Sequence, residues 1–265
     1  MKIVRYQDRA GATGLGVLGV EGAVTRLDGV LYGSLRDTGE PVEIADTLAP
    51  LEPEVFFCIG LNYAAHADET GAQRPSFPVV FMKSKTAVQH PGEPIELPRT
   101  LRSDKVDYEG ELAVVIGREC KNVAKADALD YVLGYACAND VSARDWQKEW
   151  GGGQFCRAKT FDTFAPLGPC LTTADEIADP NALRIRTLLN GELMQDSSTS
   201  DMIFDVPTLI EFLSGNTTLL PGTVILTGTP SGVGMARNPP VFLQTGDTVT
   251  VEIEGIGELT NPVAG

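Results

Sequence analysis

A β-rich α+β fold is what this chain predicts, on three observations. Short apolar runs alternate with tight turns, and Asn190-Gly191 between two such runs is a strong hairpin signal. The 28 glycines and 17 prolines among 265 residues demand many turns. Helical spacing is confined to a few short windows.

Taken in order, residues 1 to about 50 are glycine-rich, with strand-like pieces at 3–6, 14–20 and 22–27. They close in Pro50-Leu51-Glu52-Pro53. This marks a small β-rich N-terminal module over residues 1–52, a linker near 50–54 and a larger domain over 53–265. Gly14-Leu15-Gly16-Val17-Leu18-Gly19 matches G-x-G-x-x-G formally, but residues 20–24 do not open a helix, so no dinucleotide site is expected. Residues 55–59 form a continuous apolar strand suited to burial on both faces. Asn62 is placed to cap a short helix through Ala64, His66, Ala67 and Glu69, which Gly71 ends. Strands follow at 79–83 and 112–116. Helices are expected at 124–133 and at 206–213, the second with Pro207 in its first turn. Residues 185–189, 223–227 and 248–253 supply further strands, and 161–169 reads as a largely apolar loop.

Composition narrows the function classes. A net charge of −15 argues against nucleic-acid and anionic-membrane partners, which need clustered Lys and Arg. The five cysteines are odd in number and form no C-x-x-C pair, as expected of a reduced cytoplasmic protein. The first residues lack the apolar core of a signal peptide, and no apolar run approaches the roughly 20 residues that span a bilayer.

The stretch Val106-Asp107-Tyr108-Glu109-Gly110-Glu111-Leu112 carries the most chemistry. In a strand, residues i and i+2 share a face, so Glu109 and Glu111 stand side by side at the edge of a core. Either one is protonated or a cation lies between them, unless the strand simply turns this face to solvent. Asp140, after another apolar run, adds a third acid. Three oxygen donors suit Mg²⁺ or Mn²⁺ better than Zn²⁺. His66 and Glu69 are neighbours at helical spacing, either a general base with its orienting carboxylate or a surface ion pair. Lys159 either holds an anionic oxygen or is an ordinary surface lysine. Arg144 and Gln147 share one face of a helical turn after Asp140, fit to grip a carboxylate or to pair with Asp145 or Glu149. Gly228-Thr229-Pro230-Ser231-Gly232-Val233-Gly234 is either an anion cradle or a tight structural loop. A non-enzymatic anion-binding protein using that loop is the competing function class.

The order of these pieces is more specific than any one of them. Gly60-Leu61-Asn62-Tyr63-x-x-His66-x-x-Glu69 is followed by Asp107-Tyr108-Glu109-Gly110-Glu111 and Asn139-Asp140-Val141-Ser142-Ala143-Arg144-Asp145-Trp146-Gln147. Lys159-Thr160-Phe161-Asp162-Thr163-Phe164 and Thr227-Gly228-Thr229-Pro230 come next. This resembles the fumarylacetoacetate hydrolase family from about residue 55 to 261. The resemblance implies a mixed β-sandwich roll, usually a homodimer, with Mg²⁺ or Mn²⁺ on Glu109, Glu111 and Asp140. It implies His66 and Glu69 as a water-activating dyad on a lid, with Lys159, Tyr63, Arg144, Gln147 and Thr229 around a small 2-oxo acid. Residues 238–247 are similar to the branch with oxaloacetate tautomerases and didehydro-deoxy-sugar-acid hydrolases. The expected reaction is hydrolysis of a C–C bond in a 2,4-dioxo acid through a metal-stabilised enolate. Oxaloacetate tautomerisation or decarboxylation, or isomerisation of a 2-hydroxy-diene-dioate, is the alternative on the same site.

Overall fold

The computed structural model describes residues 1–19 and 22–265. Five strands open the chain: β1 (Lys2–Asp8), β2 (Thr13–Leu18), β3 (Val24–Gly29), β4 (Leu35–Pro41) and β5 (Ile44–Leu48). Next come β6 (Val55–Gly60), helix α1 (Ala64–Glu69), β7 (Val79–Lys83), β8 (Val88–Gln89), β9 (Ile95–Glu96) and β10 (Val106–Asp107). The middle holds β11 (Gly110–Ile116), β12 (Val132–Asn139), β13 (Ser142–Ala143), helix α2 (Phe155–Lys159) and β14 (Ala165–Thr173). The chain ends with β15 (Arg184–Leu189), β16 (Glu192–Ser198), helix α3 (Val206–Ser214), β17 (Thr223–Leu226), β18 (Thr248–Ile253) and β19 (Gly257–Ala264).

Among the described residues, most strands join one large sheet in the order β4-β3-β2-β1-β14-β12-β11-β17-β6-β7. Its pairings are antiparallel except β17 with β6, and β14 with the short β8. A second sheet runs β16-β15-β18-β19-β9. The α+β, β-rich class and the mixed sheets are as the sequence predicts. The N-terminal strands extend the large sheet, because β1 pairs with β14 at Lys2↔Thr172.

Period-two alternation places the core. On β11, Leu112, Val114 and Ile116 join a cluster that takes Ile185, Val251, Ile253 and Leu259 from the second sheet and Leu209 and Leu213 from α3. Ala113 and Val115 point the other way, into a cluster with Ile3, Phe56, Cys58 and Leu226. Both faces of β11 are therefore buried, and each large apolar side chain there contributes about 1.5–3 kcal/mol. The α3 start matches expectation, with Asp205 accepting from the Thr208 amide (2.9 Å) and proline in the first turn. The hairpin at Asn190-Gly191 is also present, both residues having positive φ (54° and 81°).

Several expectations are corrected. Residues 124–133 do not form an α-helix. A 3₁₀ segment covers Lys125–Tyr131, and Val132 and Leu133 enter β12 because its pairing with β11 (Ile116↔Val132) satisfies their backbone. The apolar stretch at 161–169 becomes a strand from Ala165 on, since β8 pairs at Ala165 and Pro166 and β12 at Leu167 and Gly168. Asn62 does not cap α1. Its amide donates to the carbonyls of Thr227 (2.7 Å) and Phe204 (3.0 Å), and the helix start is held instead by the Ala65 amide donating to Asp201 (3.0 Å). The strand expected over 14–20 ends at Leu18, and Val20 lies outside the described residues. The G-x-G-x-x-G match falls on β2, paired with β1 and β3; of the residues after it, 20 and 21 also lie outside the description. No helix of the described residues is long and apolar enough to cross a membrane. Cys58, Cys120, Cys137 and Cys170 are buried free thiols, and Cys156 is exposed.

Candidate metal centre

The site grows from the junction of β10, β11 and β12. The strand expected through 106–116 breaks at Tyr108 and Glu109, and backbone bonds pin the break. The Glu109 amide donates to Asn139 Oδ1 (3.0 Å), and the Asp140 amide donates to the Glu109 carbonyl (2.8 Å). Opposed pairing of Gly110 with Asn139 and Glu111 with Ala138 then brings all three acids together. Glycine is required between the two glutamates: a Cβ on Gly110 would lie 2.1 Å from Thr187 Oγ1, where the second sheet packs. Carboxylate oxygens of Glu109, Glu111 and Asp140 all lie within 4.8 Å of one another, and all three residues are buried.

Three buried cations surround them. Lys159 donates to Glu109 Oε2 (2.7 Å) and Asp140 Oδ2 (2.5 Å). Lys83 donates to Asp140 Oδ1 (2.5 Å) and to the Val141 carbonyl (3.2 Å). Arg144 pairs with Glu109 Oε1 (2.7 Å) and with the buried Asp107 (2.9 Å), and its Nη1 donates to Gln147 Oε1 (3.0 Å). Its Nη2 has no protein partner. Lys83 and Asp107 were not among the residues the sequence singles out. The one signal for Lys83 is its place two residues after Phe81, on the inward face of β7.

The electrostatics are lopsided. Burial alone would raise Glu109, but Lys159 and Arg144 outweigh it and hold this carboxylate well below its ordinary range. Burial would lower Lys159, and Asp140 and Glu109 overcome that to keep it a firm cation. Glu111 goes the other way, pushed well above the ordinary range by burial, then by Asp140 and Glu109. It forms no ion pair among the described residues and accepts one bond, from the Gly228 amide (2.8 Å). Four buried carboxylates thus face three cations. The three clustered carboxylates are hard oxygen donors short of positive charge, so they fit a divalent cation of the Mg²⁺ type.

Beside this floor, His66 Nδ1 lies 2.7 Å from Glu69 Oε1, and Glu69 accepts from the Gly232 amide through both oxygens (3.1 and 2.9 Å). Glu69 thereby orients the imidazole, with Nδ1–H donated and Nε2 left for chemistry. His66, Glu109, Glu111, Arg144, Gln147, Lys159 and Thr229 line one cavity of about 240 Å³, with Ile59, Leu61, Phe81, Phe155 and Met235 as apolar wall. Thr229 is fixed, donating to the Gly110 carbonyl (3.0 Å) and accepting from Gln195 (2.8 Å). Tyr63 stands apart: it packs in the core with Ile59 and Leu112, and it is not part of the cavity lining. The Gly228–Gly234 loop spends its amides on the chain's own acids. Gly228 serves Glu111, Gly232 serves Glu69, and Gly234 serves Asp107 (2.8 Å).

Several known proteins are similar to this chain. A mitochondrial oxaloacetate tautomerase of Xenopus laevis is 49% identical over 217 residues, covering 82% of this chain and 67% of its own. A fumarylacetoacetate hydrolase domain-containing protein 2 homolog of Dictyostelium discoideum is 48% identical over 232 residues, 84% of this chain and 75% of its own. Among solved structures, a 5-carboxymethyl-2-hydroxymuconate delta-isomerase of Mycobacterium smegmatis superposes with TM-score 0.87 at 42% identity, covering 100% of this chain and 99% of its own. A fumarylacetoacetate hydrolase of Exiguobacterium antarcticum gives 0.89 at 38%, with the same coverage. The family model described as fumarylacetoacetate (FAA) hydrolase C-terminal matches residues 55–264. With β11, β12 and the acid triad inside that span, the chain belongs to the fumarylacetoacetate hydrolase family of enzymes.

Proposed function

We propose that the chain is a Mg²⁺- or Mn²⁺-dependent enzyme that moves a proton beside the keto group of a small 2-oxo acid, in the manner of a tautomerase or isomerase. The observation that carries this reading is one small cavity lined by Glu109 and Glu111, two acids of a triad short of positive charge, and by a histidine with one free ring nitrogen. A cation held by Glu109, Glu111 and Asp140 would draw electron density from the acid's carboxylate and 2-keto oxygens and lower the cost of the enolate. Arg144, with its unpartnered Nη2, and Gln147 hold the carboxylate. Lys159 stabilises the developing negative charge. His66 Nε2 takes the proton from the carbon next to the ketone and returns it to the other end of the enolate system, with Glu69 steadying the charged imidazole. At about 240 Å³ the cavity is smaller than the roughly 300–1,000 Å³ of sites for drug-sized ligands, which suits a compound of few carbons. The names of the tautomerase and isomerase relatives point the same way.

Hydrolysis of a 2,4-dioxo acid is the second reading, favoured by the His66–Glu69 pair (2.7 Å), which is equally able to activate water. The test is to strip the protein with EDTA and follow two reactions with Mg²⁺ or Mn²⁺ restored. These are loss of the enol absorbance of oxaloacetate and release of pyruvate from acetylpyruvate. Cation-dependent enol loss without pyruvate release is expected. Full enol turnover in the presence of chelator would sink the metal role, and dominant pyruvate release would move the assignment to hydrolysis.

A further inference from the structure

Gln195 lies outside every motif read in the sequence, yet its buried side chain (1% exposed) is spent wholly on the site. It sits on β16, whose register with β15 slips: Thr187 faces Gln195, and Leu188 faces Leu193. Met194 is therefore an extra residue, a bulge of the kind that re-aims side chains beside sites. A regular strand would send Met194 and Gln195 to opposite faces, and here both are buried. Gln195 Oε1 accepts from the Gly110 amide (3.0 Å). Its Nε2 donates to the Pro230 carbonyl (2.8 Å) and to Thr229 Oγ1 (2.8 Å). A backbone amide only donates and a carbonyl only accepts, so these two partners settle which end of the side chain is oxygen.

The consequence falls on Thr229, which lines the cavity. Its single hydroxyl proton goes to the Gly110 carbonyl (3.0 Å). One of the two lone pairs on Oγ1 takes the N–H of Gln195. What remains for a ligand is the second lone pair, so Thr229 can accept a hydrogen bond but has none to give. An anionic or ketonic oxygen would bring lone pairs against a lone pair, whereas a hydroxyl brings the missing proton. Of the two tautomers of a 2-oxo acid, only the enol carries that hydroxyl. Resting on the 2-oxo acid reading above, we infer that Gln195 is a positioning residue that fixes Thr229 as an acceptor. The site thereby prefers the hydroxyl-bearing enol form of its ligand to the keto form.

The experiment titrates the full chain with lactate and with pyruvate in a calorimeter, Mg²⁺ being present. The two probes differ in carrying a hydroxyl or a keto oxygen at the same carbon. The ratio of Kd for pyruvate over lactate should fall about fivefold in Thr229→Val, the scale of one neutral hydrogen bond. It should hold within about twofold in Thr229→Ser, which keeps the hydroxyl. It should fall as in Thr229→Val when Gln195→Met frees the Thr229 hydroxyl to turn and donate; Gln195→Leu serves should that variant not fold. A merely structural loss weakens both probes together and leaves the ratio where it was. An unchanged ratio in Thr229→Val, or one that rises because pyruvate loses more, would overturn the acceptor role. A ratio that falls in Thr229→Val but holds in the Gln195 variant would overturn the positioning role of Gln195. A wild-type chain that binds neither probe would overturn this inference and the 2-oxo acid reading together.

Discussion

The floor and the mouth of the cavity are built on opposite terms. The floor is fixed from two sides: backbone pairing of β11 with β12 sets Glu109, Glu111 and Asp140, and Lys83, Lys159 and Arg144 lock two of the three carboxylates. The mouth rests on a six-residue helix, far shorter than the roughly 12–15 residues that hold together alone. Its catalytic candidate, His66, is steadied by Glu69, and Glu69 in turn by a single amide of the Gly228–Gly234 loop. The proposed charge floor is thus held at strand ends and by buried ion pairs, while the proposed proton carrier hangs on a short, tethered helix.

Substitutions can separate these two designs. The largest effects belong to the floor, where Glu109 and Glu111 should behave as opposites despite equal burial. Glu109→Gln strips Arg144 and Lys159 of a partner and should cost about 3–5 kcal/mol in urea unfolding. Glu111→Gln breaks no ion pair and should leave unfolding within about 1 kcal/mol, yet weaken Mn²⁺ binding by more than about 100-fold in titration calorimetry. Equal destabilisation by the two would contradict the lopsided charge balance. At the mouth, His66→Ala should lower kcat by about 10²–10⁴-fold while Mn²⁺ affinity holds; loss of Mn²⁺ binding would mean that the two regions are not separate. The smallest effect should come from the tether. Gly232 sits at φ +101°, and a Cβ there would lie 2.2 Å from the Met194 carbonyl. Gly232→Ala should therefore cost about 1–3 kcal/mol in stability and lower kcat less than His66→Ala does, as the amide that holds Glu69 is displaced. An unchanged kcat would show that Glu69 orients His66 without the loop.

How far the sequence could be read follows from what each residue's partner is. The His66–Glu69 spacing was legible because a helical turn dictates it. The Glu109–Glu111 pair was legible because the two are close in sequence, although Glu109 lies just outside β11 and is placed by its bonds to Asn139 and Asp140 rather than by a pleat. Asp140 was legible through its neighbours in Asn139-Asp140-Val141. Lys83 was not, since the carboxylate it holds is 57 residues away in sequence and a lone lysine ending a strand carries no local mark. The same is true of Asp107, whose partners Arg144 and Gly234 come from distant segments. Likewise, residues 165–169 read as a loop because proline and glycine dominate them, and only pairing with β8 and β12 makes them a strand. The Gly228–Gly234 loop had the right chemistry for anions, but the anions proved to be the chain's own side chains.

That last feature bears on redesign. One short loop is wired to Glu111, Glu69 and, through Asp107, to Arg144, so a change there reaches the proposed cation ligand, the proposed base and the proposed carboxylate grip at once. The apolar wall is less wired: Ile59 on β6 and Phe155 on α2 come from segments outside the loop, whereas Met235 shares its tie to Asp107 through its own amide (3.0 Å). A library aimed at new ligands should vary Ile59 and Phe155 and keep 228–235 constant, because the loop is where the parts of the site share a common fastening.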